Sequence, residues 1–278
     1  YDMSDHFSIS GVQDKISLKI EKNKFVPTDK NGEYILKPIP ETTLPRFQQD
    51  VPANEHLTMQ IAKQIFNIST ALNALIYFKD GEPAYITKRF DRFKNEKIAQ
   101  EDFCQLLQVS EESRGKNYKY DSSYEEAATV IQKYCAANKI EMEKYFKVIL
   151  FNYFFANGDA HLKNFSLIQT LHKDFILSPA YDLLATSLHF PNEGRTALEL
   201  FADYESESFK KNGFYKRHDF LDFANRLEIK PSRAVKFIEE FNGKKDRCLE
   251  LIDRSFLSDD GKRGYVGLFE DRLVALRG

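Results

Sequence analysis

Asp159 and Asn164 stand five residues apart in "NGDAHLKNFSLI", and Asp182 follows in "DFILSPAYDLLAT". Two carboxylates and an amide so arranged suit phosphoryl transfer. One carboxylate orients or deprotonates an attacking hydroxyl, while the other carboxylate and the amide oxygen hold Mg²⁺ against the phosphates. That chemistry also needs a fixed cation, and Lys37 in "YILKP" fits, because an ammonium at the end of a strand is a point charge whose place the sheet sets. Each residue also has a plainer use: Asp159 could cap a helix, Asn164 could start a strand, and D-x-x-x-x-N arises often by chance. Ordered company favours the chemical reading. A serine- and glycine-bearing stretch, "SISGVQDK" (Ser8 to Lys15), comes first, then the strand lysine, a helix with Glu55, a hairpin, the Asp–Asn pair and the second Asp.

Elements must bring these residues together. Strand patterns cover Ile16–Ile20, Glu33–Lys37, Ala74–Phe78 and Ala84–Phe90, the last two joined by "KDGE" as a hairpin. Between them Leu57, Ile61 and Ile65 recur at helical spacing, which predicts an amphipathic helix; its Glu55 either pairs with Lys37, as the helix glutamate of protein kinases does, or, the commoner case, lies on the solvent face, and it is kept outside the catalytic set. From Gln100 onward the pattern turns helical. Tyr124–Asn138 and Glu141–Asn157 read as consecutive helices, the second apolar nearly all round and therefore buried. Further helices follow over His218–Ile229, stopped by Pro231, and over Ser232–Phe241 and Asp246–Phe256, while Ser110–Ser123 reads as a loop. A short hairpin between Asn164 and Asp182 would bring the two acids together. The expected fold class is α+β and bilobal, with a small mixed lobe over 1–98 and a mainly helical lobe over 99–278.

Composition narrows the function classes. Forty basic against forty-two acidic side chains give a net charge of −2, so no global electrostatic case exists for nucleic acid or membrane as the main partner. Three widely spaced cysteines, Cys104, Cys135 and Cys248, argue against a zinc site and a disulfide scaffold and point to a reducing cytoplasm. The longest apolar run, Val148–Phe155, is too short to span a bilayer, and no signal peptide opens the sequence. The first residue is Tyr1 rather than Met, and an upstream segment is expected.

The Asp159–Asn164 spacing matches that of the protein-kinase catalytic loop HRDxxxxN without its His-Arg, and Asp182 answers the later DFG aspartate. More specifically, the chain resembles the HipA family of bacterial serine/threonine kinase toxins. "SISGVQDK" matches the family's S-x-x-G-x-Q-x-K loop, "ILKP" its ATP lysine, and "KRFDR", "QEDFCQ", "GDAHLKNFS" and "PAYDLL" follow in order to about residue 186. The rest resembles the family only in being helical.

The resemblance implies a protein-kinase-like fold, ATP and Mg²⁺ as cofactors, and these roles. Asp159 would be the catalytic base, and Asn164 and Asp182 the metal ligands. Lys37 would hold the α/β-phosphates, and the backbone of Lys88, Arg89 and Phe90 would receive the adenine. Ser10, Gly11, Val12, Gln13, Asp14 and Lys15 would cover the phosphates, with His161, Lys163 and Tyr181 close to the nucleotide. Ser8 or Ser10 would be autophosphorylated, and a phosphate there, of about −1.5 to −2 charge, would repel ATP and favour a displaced loop. Full-length members carry a long segment ahead of the serine loop, where this chain has seven residues. That implies a truncated record or a kinase core whose missing module is a separate HipS-like protein, as in three-component HipBST systems. A HipB-like antitoxin is the implied partner, DNA is reached only through it, and an aminoacyl-tRNA synthetase is the implied substrate. Two rival readings stay open: a catalytically silent kinase-like module that grips an antitoxin or repressor, and a small-molecule or lipid kinase.

Overall fold

The computed structural model describes residues 13–93 and 96–277, so Ser8, Ser10, Gly11 and Val12 lie outside the described residues. Strands β1 (Ile16–Glu21), β2 (Lys24–Pro27), β3 (Tyr34–Pro38), β4 (Asn73–Tyr77) and β5 (Pro83–Lys88) form an antiparallel sheet in the order β2-β1-β3-β5-β4. Leu18, Leu36, Ala84 and Ile86 cluster on one face. The pleat turns Lys37, next along β3, to the other face, where it pairs in register with Tyr85.

Helix α1 (Val51–Gln64) packs against β4 and β5. Asn54, Glu55 and Thr58 are buried in it beside Leu57, Met59 and Ile61. Of the two readings of Glu55, the solvent face is therefore wrong and the pairing with Lys37 is the one seen. The helix buries polar positions because they meet partners across the molecule: Asn54 Nδ2 donates to the Ala185 carbonyl at 3.0 Å, and the Thr58 and Tyr265 hydroxyls lie 2.8 Å apart.

Beyond a two-stranded ladder of β6 (Arg92–Phe93) and β7 (Glu96–Lys97), the chain is not immediately helical. β8 (Gln100–Asp102) joins the expected hairpin, β9 (Ser166–Gln169) and β10 (Phe175–Leu177), in a sheet of order β10-β9-β8. Three mostly polar residues carry too little alternation to announce a strand; their ladder partner lies more than sixty residues away, with Asp102 opposite Ser166.

Helices α2 (Phe103–Leu106), α3 (Glu111–Arg114), α4 (Tyr124–Tyr134) and α5 (Asn138–Phe154) follow. The stretch 110–123 is thus not simply a loop, because Ser110 and Ser113 form a capping box that starts α3, and a 3-10 turn follows at Tyr118–Tyr120. α5 is buried on most sides as its composition predicts, with the Phe154 ring stacked 4.0 Å from Phe241 and Phe155 4.8 Å from Phe269.

The chain closes with α6 (Glu207–Asn212), α7 (Arg217–Arg226), α8 (Pro231–Gly243), α9 (Lys245–Asp253) and α10 (Asp259–Ala275). Pro231 opens α8 at its first turn, where a missing N–H costs nothing, and α7 has already ended at Arg226. α10 escapes the sequence pattern because glycines interrupt it. At Gly261 a Cβ would lie 2.2 Å from Asp50 Oδ2, and at Gly264 one would lie 2.8 Å from Leu188, so these glycines let the helix approach its neighbours. All three cysteines are free and buried, and among the described residues no helix is long and apolar enough to cross a membrane.

Candidate active site

Lys37, Glu55, Asp159, Asn164 and Asp182 converge from β3, α1, the loop after α5 and the segment after β10, and line one small cavity with Gln13. Lys37 Nζ donates to Glu55 Oε1 at 2.7 Å and also to Asp182 Oδ1. Asn164 Nδ2 donates to the other Asp182 oxygen at 3.3 Å. Asp182 itself sits at φ +53°, a left-handed conformation that costs an aspartate about 1 kcal/mol or more and directs its carboxylate into this cluster.

Charge is shared unequally here. Burial opposes the Lys37 ammonium, yet the Asp182 and Glu55 carboxylates outweigh it and push its pKa well above the usual lysine range. Burial likewise opposes the Asp182 carboxylate, but Lys37, with Lys15 behind it, holds it far below the usual range. Glu55 is the weaker anion: burial first, and repulsion from Asp182, outweigh Lys37 and lift it to about 7.

Asp159 is fixed differently, by hydrogen bonds beside the Lys119 ammonium that it attracts. The Tyr120 hydroxyl donates to Asp159 Oδ1 at 2.6 Å. Behind it, the Gly158 N–H donates to Thr186 Oγ1 at 2.8 Å, and the Thr186 hydroxyl donates in turn to Glu193 Oε2. Burial, above all, lifts Glu193 to about 8. Gly158 cannot be enlarged, because a Cβ there would lie 2.3 Å from the Gly194 carbonyl oxygen and 2.6 Å from the Glu193 carboxyl. Asn157 ties this loop to the ionic cluster: its Oδ1 accepts the Asp159 N–H at 3.2 Å, and its Nδ2 donates to the Asp182 carbonyl at 3.3 Å.

A larger cavity of about 710 Å³ opens from the cluster, sharing Lys37, Asn164 and Asp182 with it. Its cations include Lys15, Lys88, Lys97, Lys116, Lys119 and Lys163, a lining suited to a polyanion. Burial, with repulsion from Lys163 and Lys15, lowers the Lys119 pKa against the pull of Asp159. His161 faces this cavity fully buried, and neither ring nitrogen has a hydrogen-bond partner among the described residues. Burial, aided by Lys119, drops its pKa to about 3, so the imidazole is neutral. A buried polar ring without a protein partner calls for one from a ligand.

The remaining sequence candidates divide. Arg89, Phe90 and Tyr181 line the large cavity, Phe90 and Tyr181 with ring centroids 5.7 Å apart, and Tyr181 Oη donates to the Lys163 carbonyl at 2.9 Å. The N–H groups of Lys88 and Arg89 are already spent on the Leu72 and Glu33 carbonyls, at 2.7 and 2.8 Å, so a base there would be read by other groups of this segment. Gln13 anchors through Nε2 to the Pro38 carbonyl at 2.7 Å, whereas Asp14 is exposed and lines neither cavity. Sequence reasoning weighed Glu55 as a partner of Lys37 but left it out of the catalytic set, and missed Lys116, Tyr118, Lys119, Tyr120, Thr186 and Glu193. The basic and aromatic alternation of "KNYKY" was a usable signal for four of them; for Thr186 and Glu193 only the fold could supply it.

Comparison with known proteins agrees with this architecture. Residues 7–248 match the profile of the HipA-like C-terminal domain. A Haemophilus influenzae protein named "Putative kinase" is 29% identical over 286 aligned positions, covering 97% of this chain and 81% of that protein. A Sinorhizobium fredii protein also named a "Putative kinase" is 31% identical over 84% of this chain, which spans only 58% of its length. Among solved structures, the fold is similar to Shewanella oneidensis HipA, from a toxin–antitoxin complex with HipB and its operator DNA (TM-score 0.71, 20% identity, 99% of this chain and 65% of that one). It is also similar to the Helicobacter pylori proinflammatory kinase CtkA (TM-score 0.59, 15% identity, 93% of each chain).

Proposed function

This chain belongs to the HipA-like C-terminal domain family, and on that premise we propose that it is an ATP- and Mg²⁺-dependent serine/threonine protein kinase, the toxin component of a toxin–antitoxin pair. The observation that carries the reading is the single small cavity in which Asp159, Asn164, Asp182 and a paired Lys37 meet, opening into a large cationic cavity. A silent binding module has no need of that set.

In the proposed reaction the acceptor hydroxyl oxygen bonds to the γ-phosphorus, and the bond from that phosphorus to the β,γ-bridging oxygen breaks, its electron pair leaving with ADP. Asp159 takes the hydroxyl proton. Lys37 holds the α/β-phosphates, with Glu55 and Asp182 keeping it charged and in place. His161, neutral, donates one N–H to phosphate without adding charge, and Lys15, Lys119 and Lys163 supply the field. The Asp182 carboxylate offers hard oxygens of the kind Mg²⁺ prefers, and the Asn164 amide, whose Nδ2 faces Asp182 and whose Oδ1 accepts the His161 N–H at 3.0 Å, would supply a further oxygen by turning over. Among the described residues no group of three or more His, Cys, Asp or Glu could hold a metal alone, which suits an ion bound jointly by two side chains and the nucleotide's phosphates. When bound, Mg²⁺ neutralises phosphate charge and fixes the γ-phosphate for in-line attack.

We extend the proposal to the two-lobe division at residues 98 and 99, to autophosphorylation at Ser8 or Ser10, and to control by a HipB-like antitoxin that bridges to DNA. A HipS-like companion and an aminoacyl-tRNA synthetase substrate remain part of it. Gln13, the first described residue after the serine stretch, shares the small cavity with Asp159, which supports a loop acceptor. The Shewanella HipA complex with HipB and operator DNA supports the partner. Mass spectrometry after incubation with Mg-ATP and bacterial lysate tests all of this at once: phosphate is expected on Ser8 or Ser10 and on a lysate protein. Phosphate on a lipid or metabolite alone would replace the protein-kinase reading, and ATP binding without transfer would end it.

A further inference from the structure

Asp182 is fastened to the first part of the chain on both sides. Two residues before it, Ala180 forms a parallel bridge with Thr70: its N–H donates to the Ser69 carbonyl at 2.7 Å, and its carbonyl accepts the Ala71 N–H at 3.0 Å. Three residues after it, Ala185 meets the side chain of Asn54 in α1. Asn54 Nδ2 donates to the Ala185 carbonyl and the Ala185 N–H donates to Asn54 Oδ1, both at 3.0 Å, so one amide satisfies both polar groups of one residue. Both residues are buried. The second Nδ2 proton points at His189 Nε2, 2.8 Å away, and His189 Nδ1 lies 3.1 Å from the Arg46 carbonyl. This arrangement requires a neutral ring with its proton on Nδ1, and burial, which lowers the His189 pKa, favours it.

Residue type matters at position 54. An aspartate has no donor for the Ala185 carbonyl, an aliphatic residue has neither donor nor acceptor, and either leaves buried peptide groups unpaired. Glu55, the next residue on α1, is thereby set against Lys37 from one side while Asp182 is set against it from the other. The ionic cluster is a weaker fastening for these elements, because the two carboxylates repel across Lys37 and a nucleotide phosphate would compete with Asp182 for the ammonium. The Asn54 clamp is neutral and indifferent to both. In protein kinases the corresponding helix and metal-binding aspartate are brought into place under the control of activation-loop phosphorylation. Here the first hydroxyl residues after Asp182, Thr186 and Ser187, are buried, and the segment is held without a phosphate on them.

We infer that Asn54 is a positioning residue for the transfer reaction: its amide locks α1 to the segment after Asp182, so that Glu55 and Asp182 stand assembled before nucleotide arrives and stay so when phosphate draws Lys37 away from Asp182. The inference rests on the kinase reading above and deepens it, since it makes the cluster competent from the outset and leaves control to other parts of the molecule or to a partner.

The test is amide hydrogen exchange over residues 183–189, read by mass spectrometry with and without Mg-ATP, beside γ-phosphate transfer to protein in a bacterial lysate, for the full native chain and Asn54→Ala. In the native chain exchange there should be slow and change less than about twofold when Mg-ATP is added. In Asn54→Ala it should rise about tenfold and fall again with Mg-ATP, and KM for ATP should rise by about the same factor with kcat within about threefold, because nucleotide must then assemble the site. Asn54→Asp, which keeps the acceptor for the Ala185 N–H, serves where Asn54→Ala does not fold, with a smaller rise expected in both quantities. A lower melting temperature with KM for ATP unchanged would make Asn54 structural only and overturn the inference, leaving the kinase reading intact. So would native exchange that slows only when Mg-ATP is added. No transfer by the native chain would sink the kinase reading and the inference together.

Discussion

The two ends of the catalytic cluster are built from different materials. At the Lys37 end the fastening is ionic: one ammonium between two carboxylates, from residues 18 and 145 positions away in the chain. At the Asp159 end it is hydrogen bonding through Tyr120, Thr186 and the backbone of Gly158, with the Lys119 ammonium drawn to the carboxylate and Glu193 behind them held up to about 8 and so protonated at neutral pH. The difference follows from the task. In the proposed mechanism a group that holds phosphate keeps its charge by being paired, whereas a base must accept a proton and is placed by hydrogen bonds that leave it able to do so.

Substitutions at the two ends should therefore fail differently. The largest combined effect is expected at the ionic end. Lys37→Met leaves Glu55 and Asp182 buried without their cation, which should cost about 3–5 kcal/mol of stability in denaturant unfolding and about 10²–10³-fold in transfer rate. Loss of activity with unchanged stability would mean that the pair is not buried as described. At the Asp159 end, Gly158→Ala forces the Gly194 carbonyl and Glu193 aside and displaces Asp159; kcat should fall about 10²-fold while ATP affinity holds. A matching loss of ATP affinity would show that the two ends are one unit. Glu55→Gln removes only the weaker anion and leaves Lys37 on Asp182, so kcat/KM for ATP should fall about tenfold with little change in melting temperature.

A further effect, on stability alone, is a pH dependence. Glu193 is held up to about 8 in the fold against an ordinary 4.5, so between about pH 5 and 8 the folded chain keeps a proton that the unfolded chain has lost. Stability must fall as pH rises through that window. Glu193→Gln should flatten the fall, by roughly 7–14 °C in melting temperature between pH 5 and 8. Equal slopes in the two proteins would place Glu193 in water.

The same contrast explains what could be read from sequence. Lys37, Asp159, Asn164 and Asp182 are legible because charged chemistry leaves residue types at fixed spacings, and the strands and long helices around them follow from periodicity. Glu55 is legible only as a choice between pairing with Lys37 and the solvent face, because its burial depends on which face of the sheet α1 covers. Tyr120 sits in a polar stretch whose order comes from the Ser110 cap and from contact with Asp159, neither of which is a pattern in the sequence. Thr186 and Glu193 hold Asp159 through backbone groups, so nothing in their types announces them. The helix α10 hides behind glycines that exist for close packing against Asp50 and Leu188.

The central claim is that Asp159 serves transfer while the ionic end serves binding. It is tested most directly by measuring Mg-ATP affinity and γ-phosphate transfer on one preparation each of the native chain and Asp159→Asn. The account predicts a dissociation constant within about threefold of native and transfer lower by about 10³-fold. Native-level transfer in the variant, or an affinity lost together with transfer, would contradict it.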